Sequence, residues 1–97
     1  MISFEWDFKK NSQNRKKHGI EFEDAVSVFM DENAIIYDDI DHADDEERYI
    51  ILGVDSKSRI LVVVHCYRKS DTVIRIISAR TATRNEIADY YNRSGRW

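Results

Sequence analysis

The fold class this sequence predicts is α+β, in the order β-α-α-β-β-β-β-α, with an antiparallel sheet and the helices packed on one of its faces. Three observations predict it. Phe22, Ala25, Val26 and Phe29 recur at the spacing of an amphipathic helix. Four runs rich in Val, Ile and Tyr, "AIIYDDI", "ERYIILGV", "RILVVVHCY" and "TVIRIISAR", are separated by short polar loops, as in a strand meander. Helix-capping residues stand at the ends of two further segments. A chain of 97 residues makes one domain, 1–97, able to bury roughly 60 to 65% of its unfolded surface.

Taken in order, "ISFEW" reads as a short first strand. Asp7 caps a helix running to about Lys17, and Gly19 stands where helices end in the left-handed conformation. That helix, "FKKNSQNRKKH", has almost no apolar stripe and needs some other reason to be held, so its basic face is a candidate functional surface. The amphipathic helix and the four strands follow. "TRNE" (Thr83 to Glu86) has capping-box spacing and opens a last helix carrying Ile87, Tyr90 and Tyr91.

A net charge of −3 speaks by itself against a nucleic-acid binder. The charge is segregated, however: residues 21–47 are rich in acids and hold no Lys or Arg, whereas 1–20 and 48–97 are net basic. Two surfaces are expected, a basic one for an anionic partner and an acidic one facing solvent or a basic partner. No run approaches the ~20 apolar residues of a membrane helix, and the N-terminus lacks the apolar core of a signal peptide. With the lone Cys66 read as a small buried hydrophobe, the expected location is cytoplasmic, with no membrane contact.

The strand "VIRIISAR" (Val73 to Arg80) carries two arginines, Arg75 and Arg80. If the loops are "DSKS" (Asp55–Ser58) and "KSD" (Lys69–Asp71), His65 lies across from Arg75 and Arg48 across from His65. Arg48, His65 and Arg75 then form one row, while Tyr49, Ile51, Val62, Val64, Cys66, Ile74 and Ile76 make the apolar core face. Like charges in such a row repel. An anion would relieve the repulsion, and a phosphate suits guanidinium forks; the alternative is that Glu46, Glu47 or another acid pairs with the arginines in a structural cluster. Arg80 falls on the other parity; it joins the row only if the strand end turns outward, and otherwise pairs with an acid at the core's rim. Glu47 also has core-side parity. His18, ending the first helix, either gains from the negative helix terminus or does acid–base chemistry. The segment "DDIDHADDEE" offers carboxylates and His42, but it lacks the central glycine of an EF-hand and there is no His-x-x-x-His pair, so neither metal nor cofactor is expected. Glycine-rich phosphate loops and G-x-S-x-G are absent from the sequence.

"FEWD" (Phe4 to Asp7), "N..KHGI.F..A..VF" (Asn14 to Phe29), "D.DH...EER" (Asp39 to Arg48), "LVVVH" and "IRIISARTAT..E" together resemble, in order and spacing, the BrnT family of bacterial type II toxins. One departure is Phe8, where many members carry Pro at the first helical position; it bears on helix initiation and not on chemistry. The resemblance implies a compact RelE-like ribonuclease that halts translation by cutting RNA. It also implies a BrnA-like antitoxin with a ribbon-helix-helix domain, through which alone the toxin would reach operator DNA in repressing its own operon. Metal-free cleavage needs a base for the 2′-hydroxyl, cations for the transition state and an acid for the leaving oxygen. Arg75 and Arg48 would be the cations, with Arg80 if it turns outward. His65 or His18 would move protons, Glu47 would be an alternative base or an orienting group for arginine, and Lys16, Lys17 and Arg84 would hold the RNA backbone. The second reading is a catalytically inactive module that binds RNA or the antitoxin through the same basic face.

Overall fold

A computed structural model describes residues 1–39 and 47–94. Its elements are β1 (Ser3–Glu5), α1 (Phe8–His18), α2 (Phe22–Ala25) continued by a 3-10 turn (Val26–Met30), β2 (Ile35–Asp38), β3 (Tyr49–Val54), β4 (Ile60–Arg68), β5 (Val73–Thr81) and α3 (Arg84–Ser94). The α+β class and the element order are those read from the sequence.

The strand directions of the sheet and its helical cover differ from expectation. The sheet, ordered β1-β5-β4-β3-β2, is mixed, because β1 lies parallel to β5 while the other pairs are antiparallel. The helices also cover both faces. On one face Ile20, Phe22, Ala25 and Val28 pack on Ile51, Leu61, Val63, Ile76 and Ala79. On the other, Tyr90 of α3 packs with Leu52 and Val62, flanked by Ile35, Tyr37, Ile50 and Ile60. The cause is visible in β3 and β4, where "IIL" and "LVV" are apolar on both parities, so that either face left bare would expose a large apolar surface.

The polar helix α1 is held by hydrogen bonds in place of an apolar stripe. Asp7 accepts from the N–H groups of Lys9 and Lys10, and Gly19 closes the helix at φ +72°. β1 pairs with β5 only as far as Glu5 opposite Arg75. Beyond that point Asn14 acts as a substitute strand: its Oδ1 accepts from Ala79 N–H at 3.1 Å, and its Nδ2 donates to Ala79 C=O at 2.8 Å and to Ile20 C=O at 2.9 Å. Asn11 Oδ1 accepts from Phe22 N–H at 2.8 Å. Buried backbone groups cannot go unpaired; Asn14 meets that need at the β5 edge and Asn11 at the start of α2.

The β3–β4 loop runs Asp55–Arg59, one residue longer than expected. Asp55 gathers it by accepting from Lys57 N–H, Arg59 N–H and the Arg59 guanidinium, with Ser58 at φ +65°. The β4–β5 loop is likewise one residue longer, Lys69–Thr72, with Lys69, Ser70 and Asp71 at positive φ. β5 also contains a bulge: Val64 faces Ser78 and His65 faces Ile76, leaving Ile77 as the extra residue.

Candidate functional site

The longer loops and the bulge decide where the charged side chains go. Arg75 and Arg80 are five residues apart and would alternate to opposite faces, but the extra residue Ile77 returns both to one face, opposite Cys66 and Val62 respectively. This is the face that α3 covers at its Leu52–Val62 end. Arg80 therefore needs no turned-out strand end to share a face with Arg75.

The expected row of Arg48, His65 and Arg75 does not form. His65 pairs with Tyr49 and Ile76, and Arg75 pairs with Cys66 on one side and Glu5 on the other. Continuing the β3–β4 register by one residue sets Arg48 on the far side of Cys66. Because both loops lengthen by one residue, the two arginines still share a row; its centre is Cys66 in place of His65. Arg75 donates to Glu5 Oε2 at 2.8 Å. Arg48 Nε is buried and has no hydrogen-bond partner among the described residues, a costly state unless a ligand completes it.

His65 belongs to the opposite face and is fully buried. Its ring meets Phe29 edge-on at 4.8 Å between centroids, with Tyr67 at 5.5 Å and Tyr49 at 6.1 Å. Nδ1 lies 3.3 Å from Val63 C=O, and burial pushes the imidazole below its ordinary pKa of 6.5. An unfolded chain then takes up this proton before the folded one does, so stability is lost as pH falls below about 6.5 and is independent of His65 above it. Urea unfolding at a series of pH values is expected to show this slope in the native protein and a flatter one in His65→Phe; equal slopes would mean that His65 titrates normally.

Arg80 is engaged in a structural contact. Its two terminal nitrogens donate to both oxygens of Glu86 at 2.8 and 2.9 Å, and this fork holds the Glu86 carboxyl down at about 2. Glu86 also accepts from Thr83 N–H while Thr83 Oγ1 accepts from Glu86 N–H, which completes the capping box. Arg80 thus fastens the end of β5 to the start of α3, beside the exposed Arg84. Glu47 accepts from the Tyr49 hydroxyl at 2.6 Å, which pushes the phenol up to about 12. His42 and the acidic stretch from 40 to 46, including Glu46, lie outside the described residues.

His18 and Lys17 line a cleft of about 250 Å³ between α1 and the bulged part of β5, together with Lys10, Gln13, Asn14, Ile77 and Ser78. Ser78, opposite Val64, lies on the arginines' face, so the cleft adjoins it. Lys16 is exposed on α1 but does not line the cleft. Arg75 reaches the same helix electrostatically: the Asp7 carboxyl is lowered by the Lys10 and Lys9 N–H groups and, more weakly, by Arg75. Sequence reasoning overlooked Glu5, Lys10, Gln13 and Ser78. The first was hidden by the non-local parallel pairing of β1 and the last by the bulge.

The fold and this surface define a class: a small α+β protein with a mixed five-stranded sheet and a cationic rim along α1 and β5. Residues 6–86 match the family model of BrnT, described as the ribonuclease toxin of a type II toxin–antitoxin system. The chain belongs to that family. The fold is also that of the crystal structure of the Brucella abortus ribonuclease toxin BrnT, with a TM-score of 0.68, 23% identity, and coverage of 87% of this chain and 100% of that one. No curated protein matches the sequence.

Proposed function

We propose that the protein is an endoribonuclease toxin that cuts RNA without a metal ion, inhibits translation, and is neutralised by a ribbon-helix-helix antitoxin with which it represses its operon. The observation that carries the reading is the arginine pair flanking Cys66, with Arg48 Nε buried and without a hydrogen-bond partner among the described residues. A scissile phosphate would take bidentate bonds from Arg75 and fill the vacant Arg48 donor, displacing Glu5 from its 2.8 Å contact. The freed Glu5 carboxylate removes the 2′-hydroxyl proton as that oxygen attacks phosphorus. The 5′-oxygen leaves with a proton from His18, which enters the step as imidazolium in the adjoining cleft, giving a 2′,3′-cyclic phosphate and a 5′-hydroxyl. Lys10 and Lys17 carry the backbone along α1, with Lys16 and Arg84 at its margins. In this scheme Arg80 orders the end of β5, Glu47 orients Tyr49, and His65 packs the core.

Expression without a partner is expected to arrest growth, and co-expression of the neighbouring gene's product to restore it; normal growth with abundant folded protein would contradict the toxin reading. One observation favours the inactive binding module: both β5 arginines already hold carboxylate partners. That reading predicts RNA retention with no cleavage.

A further inference from the structure

A second pocket, sharing no residue with the basic cleft, has a volume of about 330 Å³ and is lined by Ile36, Tyr49, Tyr67 and Asp71. Its chemistry is the reverse of the cleft's. No lysine or arginine lines it, Asp71 is exposed with no ion-pair partner among the described residues, and the charges of Glu47 and Asp38 bear on Tyr49. An RNA strand would meet carboxylates here.

The two tyrosine rings are held in place before anything binds. They contact each other edge-on at 5.4 Å, and both lean on the buried ring of His65. The Tyr49 hydroxyl is fixed by Glu47. Ile36, 53% exposed on the short edge strand β2, adds an apolar wall. Aromatic faces, an apolar wall and an unpaired carboxylate are what a planar cation on an aliphatic stem requires: the guanidinium stacks on a ring and forks onto the acid, and the methylenes lie on the isoleucine. Because the rings are already ordered, little conformational entropy is lost on binding.

We propose that this pocket receives an arginine side chain from a basic segment of the protein partner, the antitoxin that membership of this family implies. The inference rests on the toxin–antitoxin reading for the existence of that partner, but not on RNA cleavage. It gives this pocket a task distinct from that of the α1–β5 rim.

The test is titration of the purified chain with the neighbouring gene's product at low and moderate salt. Asp71→Asn is expected to weaken binding by about tenfold or more and to reduce its salt dependence. Tyr67→Phe keeps the ring face and is expected to bind as the native chain does, whereas Tyr67→Leu is expected to bind less well. An arginine-to-alanine scan of the partner is expected to find one position whose loss is not additive with Asp71→Asn. Cleavage of RNA by Asp71→Asn is expected to be unchanged, and loss of cleavage with antitoxin binding intact would assign the pocket to RNA and overturn the proposal. Native affinity in Asp71→Asn, the absence of any arginine coupled to Asp71, or no binding by the partner would also overturn it. A chain that binds the partner through Asp71 yet cuts no RNA would leave this inference standing while the ribonuclease scheme fails.

Discussion

Asn14→Ala is expected to destabilise the protein by several kcal/mol, the largest stability effect of any single substitution considered. The side chain is buried, and removing it strands Ala79 N–H, Ala79 C=O and Ile20 C=O at once. Each buried group left unsatisfied costs about 1–3 kcal/mol, against a total stability for such a domain of about 5–15 kcal/mol. Asn14→Asp preserves shape but sets a carboxylate against two carbonyl oxygens, so it acts in the same direction. Denaturant unfolding followed by circular dichroism measures the effect. A loss of less than about 1 kcal/mol would show that water or a shifted helix replaces the amide readily, and that α1 is not held as described.

Arg75→Ala is expected to have the largest effect on activity. Removing a donor aimed at a transition-state charge commonly costs about 10²–10³ in rate. The fold is expected to survive, because the Arg75 side chain is about one-third exposed at 32% and the Glu5 carboxylate it leaves behind, at 37%, can return to water. Arg75→Lys keeps the charge but loses the planar fork, so an intermediate rate is expected. Single-turnover cleavage of a labelled RNA by folded variants distinguishes these outcomes. A folded Arg75→Ala protein as fast as the native one would remove Arg75 from the mechanism.

Local signals in the sequence were strong. Asp7 and Gly19 delimit α1, Thr83 and Glu86 form the capping box, and the apolar spacing from Phe22 finds α2 and the turn that follows it. The arginine pair is also legible, because both loops are one residue longer than the sequence predicts and the two shifts move Arg48 and Arg75 together. The residue between them is not. His65 gave way to Cys66 because Asp55 draws Arg59 into its loop and because Lys69, Ser70 and Asp71 adopt positive φ without a glycine to announce it. The bulge at Ile77, which puts Arg80 on the face of Arg75, has no local signature in "RIISAR". The parallel pairing of β1 with β5 joins residues some seventy positions apart, beyond any periodicity argument. Two-sided cover of the sheet was within reach, since adjacent apolar residues in β3 and β4 require it.

The central claim is that a cationic row on the sheet, beside the α1 cleft, performs metal-free RNA cleavage. The most direct measurement is incubation of the purified native chain with RNA in excess chelator, in parallel with the same RNA carrying 2′-deoxyribose at the cut position. The account predicts cleavage that survives chelation, leaves a 2′,3′-cyclic phosphate and stops at the deoxy position. Cleavage that requires an added divalent ion, or that proceeds equally on the deoxy substrate, would contradict it.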